Sequence, residues 1–241
     1  MRLDIYLTER NFTQSRTRAK NLIEMGNVLV DGIIITKPAY EICGHENVAI
    51  VENYEASLGS LKLKKALNEF NINVKNKICL DLGASNGGFT EVLLNNGANL
   101  IYALDIGECA LPKYLKTNPK IIVKDRTNAR FIKKSDFQYE IELCTVDLSF
   151  ISLELVLPSI YNVLKNNGEV IALIKPQFEL NKNSLTKTGI VKTEKLRLSA
   201  IENIQKFSSS LGFNVKGVIL APHPFEYKNQ EYLIFLNKPS F

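Results

Sequence analysis

The sequence predicts an open α/β sheet with helices on both faces, preceded by a small α+β unit. Three observations predict it. From Lys77 onward, apolar strand-like runs alternate with helical patterns, which is how a parallel sheet with crossover helices is written. The first such run, Ile78-Cys79-Leu80 ending in Asp81, feeds a glycine-rich turn, Leu82-Gly83-Ala84-Ser85-Asn86-Gly87-Gly88-Phe89-Thr90, that opens a helical pattern. Residues 1–51 read differently, as two short apolar stripes at helical spacing followed by a hairpin.

The elements follow in order. Leu3, Ile5, Tyr6 and Leu7 start a short helix. A second helix begins near Ser15, with Thr17, Ala19, Leu22 and Ile23 as its stripe. It stops at Met25-Gly26, where glycine suits a left-handed C-cap. Val28–Val30 and Ile33–Ile35 read as strands joined by an Asp31-Gly32 turn, and Val48–Val51 closes the unit. Residues 52–61 read as a linker, and a helix over Lys62–Phe70 opens the second domain, 62–241. Strands are predicted at Lys77–Leu82, Leu100–Asp105, Ile121–Val123, Ile141–Asp147 and Glu169–Lys175. Helices are predicted near 88–97, 110–117, 152–165 and 193–211, and a final strand pair at Asn214–Ala221 and Tyr232–Leu236.

Composition narrows the function classes. With 241 residues, 45% apolar, the chain can bury a sizeable core. No apolar run approaches the roughly 18–20 residues needed to cross a bilayer, and the N-terminus lacks a signal-peptide core. The protein therefore reads as cytoplasmic. Four cysteines without a C-x-x-C pair, and only two histidines, leave a disulfide framework, zinc site or histidine triad poorly supplied, so no metal is expected. The net charge of +5 is unevenly placed. Residues 1–57 hold six Lys/Arg against eight Asp/Glu, a balance of −2, whereas the remainder holds 24 against 17, or +7. The positive charge of the first unit is bunched at Arg10, Arg16, Arg18 and Lys20.

The glycine turn carries the chemistry. A strand running into a glycine-rich turn and then a helix lets a ligand approach the backbone closely and offers it unpaired N–H donors. The dinucleotide fingerprint is G-x-G-x-x-G. This turn reads G-x-x-x-G-G and is closer to the S-adenosylmethionine (SAM) site of methyltransferases.

The N-terminal unit, with Ser15-Arg16-Thr17-Arg18-Ala19-Lys20, Gly26-Asn27-Val28 and Val30-Asp31-Gly32, resembles the α-L (ribosomal protein S-four-like) RNA-binding module. The resemblance implies RNA phosphate contacts through Arg16, Arg18 and Lys20. The rest of the chain resembles the TlyA (hemolysin A) family of ribosomal RNA 2′-O-methyltransferases, whose catalytic domain is FtsJ-like. The resemblance is carried by Asp81–Thr90, Ala103-Leu104-Asp105-Ile106-Gly107, Asp125-Arg126-Thr127-Asn128-Ala129-Arg130, Asp147-Leu148-Ser149-Phe150-Ile151-Ser152-Leu153, Lys175-Pro176-Gln177-Phe178-Glu179 and Gly189-Ile190-Val191-Lys192. It implies a Rossmann-like SAM-dependent methyltransferase sheet whose last strand is antiparallel, behind a small α+β RNA-binding domain. It also implies methylation of the ribose 2′-OH of cytidines in ribosomal RNA, with ribosomal subunits as partners and no membrane.

For the cofactor, the resemblance implies Asp81, Gly83, Ser85, Gly87, Gly88 and Phe89 around the methionine and ribose end, and Asp105 on the ribose hydroxyls. Asp125 or Asn128 would take the adenine edge, with the choice between them open. Arg126 and Arg130 are structural or RNA-facing. For catalysis it implies a Lys-Asp-Lys-Glu set, here Lys62, Asp147, Lys175 and Glu231. A ribose hydroxyl is a poor nucleophile, so it must be held in attack geometry and relieved of its proton. Lys175 is assigned as base or orienter, Lys62 as the second ammonium that lowers its pKa, and Asp147 and Glu231 as the acids that hold both. Two departures from the family pattern stand out. Leu58-Gly59 replaces an arginine-glycine pair, and Pro222–Gln230 replaces a glycine-rich turn before Glu231, which makes Glu226 a weaker candidate for the same role. Other readings are a non-catalytic RNA-binding or assembly factor on this scaffold, a dinucleotide oxidoreductase, and a hemolysin-type toxin. The intact turn, its spacing and the absence of a membrane-inserting stretch speak against them in turn.

Overall fold

A computed structural model describes residues 1–13, 15–24, 27–50, 58–222 and 229–240. The chain divides into two compact units, Met1–Leu58 and Gly59–Phe241. The expected Gly26 cap, Val51, most of the expected linker, and Glu226 lie outside the described residues.

In the first unit, helices α1 (Leu3–Glu9) and α2 (Arg16–Glu24) precede an antiparallel sheet of β1 (Val28–Val30), β2 (Ile33–Ile34) and β3 (Val48–Ile50), in the order β2-β1-β3. The helical stripes bury Leu3, Leu7, Ala19, Leu22 and Ile23 against Val28, Val30, Ile42 and Val48. The hairpin turns as its Asp-Gly pair requires, with positive φ at both Asp31 and Gly32. Asp4 is fully buried on α1 and accepts from Arg2 (2.9 Å) and Arg16 (3.0 Å). The Arg2 hydrogen bond, then that of Arg16, outweighs the cost of burial and holds the Asp4 pKa down at about 2. Arg16 is thus already engaged, although its side chain stays half exposed, while Lys20 is exposed with no such partner among the described residues.

The second unit begins with α3 (Leu58–Glu69), so helix replaces the last residues of the expected linker. There follow β4 (Ile78–Leu82), α4 (Gly88–Asn95), β5 (Leu100–Leu104), α5 (Lys113–Lys116), β6 (Ile121–Lys124), β7 (Ile141–Val146), α6 (Leu157–Val163), β8 (Leu164–Ile174), α7 (Pro176–Glu179), α8 (Glu194–Ser210), β9 (Asn214–Leu220) and β10 (Tyr232–Asn237). They form a seven-stranded sheet in the order β6-β5-β4-β7-β8-β10-β9. β4 to β8 pair in parallel, and β10 lies antiparallel to both its neighbours.

The strands read as continuous apolar runs because both faces are covered. Alternate residues serve opposite cores. Leu80, Leu82, Tyr102, Leu104, Val170, Ala172 and Ile174 pack with Ile160 of α6 and Ile201 and Ile204 of α8. Cys79, Ile101, Ala103, Ile171 and Leu173 pack with Leu63, Ala66 and Leu67 of α3, Phe89 and Val92 of α4, and Leu115 of α5. Two expectations shift. The helix expected over 152–165 is a 3-10 turn at Leu153–Leu155 followed by α6, which Pro158 helps to start, and β8 begins already at Leu164. The helix near 110–117 shrinks to Lys113–Lys116 behind Pro112.

The end of β10 is tied down. Lys238 is 8% exposed and donates to the carbonyls of Tyr161 and Leu164, both at 2.8 Å, at the end of α6. Its ammonium also lies 4.6 Å from the Tyr161 ring centre.

Candidate active site

The site forms at the carboxyl ends of the parallel strands, the edge where open α/β sheets build ligand sites. After β4 the chain turns at Gly83, whose φ of +85° favours glycine. A Cβ there would meet the Asp147 carbonyl oxygen at 2.4 Å, so no other residue lets the loop lie this close to the end of β7. Gly87 also takes a left-handed φ (+89°), and a Cβ there would come within 2.7 Å of the Leu111 side chain and 2.8 Å of that of Leu115, contacts less rigid than the backbone one at Gly83. The N–H groups of Gly83 and Ala84 both donate to the Leu104 carbonyl, at 2.9 and 3.1 Å, which docks the loop on the end of β5.

Asp105 follows β5. One carboxylate oxygen accepts the Ser85 N–H and the other the Gly107 N–H, each at 3.0 Å. A carboxylate has about four lone-pair sites, so each oxygen keeps capacity for a ligand hydroxyl.

Two of the expected cofactor residues lie beneath the loop. Asp81 is fully buried, accepting from Thr90 (2.6 Å) and Thr145 (3.0 Å). Burial pushes its pKa up to about 6 despite these donors. Phe89, 4% exposed, packs into the core between sheet and helices. Both therefore support the turn from below, because the strand-to-helix turn needs a pinned base and a filled core under it. Gly88 is also buried, and its carbonyl accepts the Ser60 hydroxyl at 3.1 Å, fastening α3 to the start of α4.

The four expected catalytic side chains converge although they stand far apart in sequence. Lys175, just past β8, contacts Asp147, just past β7, at 2.6 Å, and donates to the Ser149 hydroxyl at 3.1 Å. Lys62 on α3 contacts Glu231, just before β10, at 2.6 Å. Side-chain exposures of 9 and 14% for the two lysines make these partly buried ion pairs. Burial lowers the Lys62 pKa, but the Asp147 and Glu231 carboxylates more than reverse this, so the net shift is upward and Lys62 stays an ammonium. Asp147 thus acts electrostatically on both lysines.

An open cavity of about 840 Å³ is lined in part by Ser149, the hydroxyl to which Lys175 donates. Ile106, Asn128, Leu148, Phe150, Gln177 and Phe178 are among the residues that line it. Asn128 Oδ1 caps a 3-10 turn through the Arg130 N–H at 3.0 Å, whereas Asp125 is exposed and accepts the Cys109 N–H at 2.6 Å. Phe150 is 91% exposed at a φ of +64°, with its ring 5.1 Å from that of Phe178. Its exposure, and the roles of Ser149, Thr90 and Thr145, were not readable from periodicity, although Ser149 and Phe150 lie in a string that carried the family resemblance. Among the described residues no group of His, Cys, Asp or Glu forms a metal cage.

Comparison with known proteins assigns a family to each of the two units. Residues 56–238 match the FtsJ-like methyltransferase family and residues 1–48 the S4 domain. The 16S/23S rRNA (cytidine-2′-O)-methyltransferase TlyA of Mycobacterium tuberculosis is 37% identical over 98% of this chain and 89% of its own length. Hemolysin A of Brachyspira hyodysenteriae is 38% identical over 97% of this chain and 98% of its own. A solved structure of a protein named as a hemolysin, from Streptococcus thermophilus, superposes with a TM-score of 0.79 at 33% identity, covering all of this chain and 89% of that one. The chain belongs to the TlyA group of FtsJ-like methyltransferases, with an S4 domain ahead of the methyltransferase fold.

Proposed function

We propose that this protein transfers the methyl group of SAM to the ribose 2′-OH of a ribosomal RNA nucleotide, with cytidine the first candidate. The observation that carries the proposal is the meeting of two lysine–carboxylate pairs at the sheet edge beside the glycine turn. The residues present fit the cofactor. The turn is cleared of side chains at Gly83 and Gly87, Asp105 presents anchored oxygens for ribose hydroxyls, and Ile106, Asn128 and Leu148 line a cavity with room for an adenine. Asn128 is preferred over Asp125 because it lines the cavity. When bound, SAM supplies an electrophilic methyl on a sulfonium leaving group.

The protein's own groups do the rest. Lys175, held by Asp147 and Ser149, orients the 2′-oxygen and, in its neutral amine form, takes up the proton that the hydroxyl releases. Lys62 stays cationic beside Glu231 and favours the developing alkoxide. Phe150 and Phe178 give a splayed nucleotide an aromatic surface next to the pair, in keeping with how single-stranded RNA is read. In the S4 domain, Arg18 and Lys20 meet phosphates directly, and Arg16 does so while bound to Asp4.

The test is incubation with radiolabelled SAM and ribosomal subunits from a strain lacking the gene, followed by mapping of the label. Label on a ribose 2′-oxygen is expected; label on a base, or none, overturns the proposal.

A further inference from the structure

The chain lacks a glycine-rich turn ahead of Glu231, and a side-chain clip stands near that position. Asn229 Oδ1 accepts the Val191 N–H at 2.8 Å, and Asn229 Nδ2 donates to the Gly189 carbonyl at 2.9 Å. Both ends of the amide are thus engaged with one stretch of backbone. That stretch is a built hairpin. The Thr186 N–H donates to the Ile190 carbonyl at 2.8 Å, the Ile190 N–H to the Thr186 hydroxyl at 3.0 Å, and the Lys192 N–H to the Ser184 carbonyl at 3.1 Å. Gly189 (φ +80°) closes its turn, and Val191 is buried at its base. Leu185 and Lys182 at its foot line the cavity that Ser149 also lines.

Asn229 stands two residues before Glu231. Beyond its contact with Lys62, Glu231 is fixed by its own carbonyl, which accepts the Ala221 N–H at 2.9 Å, and by the β10 ladder that starts at Tyr232. Among the described residues these hold it from the strand side, and Asn229, two residues earlier, ties the approach of β10 to residues 189–191.

We infer that Asn229 is a positioning residue for the reaction. By clipping residues 189–191 to the approach of β10, it sets the Glu231 carboxylate where it holds Lys62. The inference rests on the function proposed above and deepens it. A donor and an acceptor engaged together restrain an amide far more than either alone, and a misplacement of about 1 Å at a reacting group costs on the order of 100-fold.

The test is a double-mutant cycle in the full chain with ribosomal subunits and radiolabelled SAM. Asn229→Ala is expected to lower kcat about tenfold, with the KM for subunits and the Kd for SAM within about twofold of wild type. Glu231→Gln lowers kcat further, and the doubly substituted protein is no slower than Glu231→Gln alone, because Asn229 acts through Glu231. SAM affinity reports folding in every variant. If Asn229→Ala fails to bind SAM, Asn229→Asp, which keeps the acceptor for Val191 and loses the donor, takes its place in the cycle. Effects that multiply in the double variant, or a wild-type kcat in the single one, overturn the inference. A wild-type protein that methylates no ribose overturns the functional reading itself, and the inference with it.

Discussion

The sheet of the second unit carries lysine–carboxylate pairs at both of its edges, and only one edge has the makings of a catalytic site. At the amino edge Lys77 contacts Glu169, and Lys165 contacts Glu142 at 2.7 Å, with Glu142 also accepting the Ile78 N–H. At the carboxyl edge Lys175 contacts Asp147 and Lys62 contacts Glu231, both at 2.6 Å. Residue types and separations match. The surroundings differ. At the amino edge Glu142 ties side chains to the start of a strand. At the carboxyl edge the pairs are more enclosed and sit beside a glycine turn, an anchored Asp105 and a large cavity. An ion pair therefore says little by itself, and its place in the topology of a parallel sheet says much.

Four measurements break or sharpen this contrast. The largest effect is expected at the carboxyl edge. Lys175→Ala should lower turnover by about 100- to 10,000-fold, the usual contribution of a positioned base, while SAM binding by calorimetry stays near wild type. Equal loss of SAM affinity would make Lys175 a cofactor residue. Next, Gly83→Ala sets a Cβ against the Asp147 carbonyl at a left-handed φ. It should destabilise the fold by about 1–3 kcal/mol in thermal unfolding and weaken SAM binding in parallel.

Third comes a dependence on pH. The Asp81 pKa is raised from 3.8 to about 6. The stability it contributes is therefore complete below its ordinary value and is withdrawn as the pH rises through about 6. The advantage of wild type over Asp81→Asn should thus shrink between pH 4 and pH 8, by up to about 3 kcal/mol. A constant difference would mean that Asp81 is ionised throughout. The smallest effect belongs to the amino edge. Lys77→Met should change stability by about 1 kcal/mol or less and leave kcat unchanged. A large fall in kcat there would erase the distinction between the edges.

Much of the architecture was legible because buried parallel strands are written as unbroken apolar runs, as at Ile78–Leu80 and Ile101–Leu104. Where the pattern failed, local chemistry had competing outcomes. The helix expected to reach 165 ends at Val163, and the pairing of Leu164 with Ile141 starts β8 there, ahead of the strand expected from Glu169. Lys62 could have exchanged places with Lys64 or Lys65 in the motif, and the structure brings Lys62 to Glu231. The burial of Asp81 and Phe89 was hidden because a motif names positions on a turn without saying which side of it they face. The Asn229 clip spans 38 residues to Val191, and nothing local announces such a bond.

Lys238 extends the reach of the site to the far end of the chain. Glu231 and Lys238 flank the same strand, one gripping an ammonium at the reaction edge, the other plugging the end of a helix at the opposite edge. A lesion at Lys238 that frees this end would let the strand slide. Read by methylation activity alone, it would then pass for a lesion of the chemistry, though no reacting group had been touched.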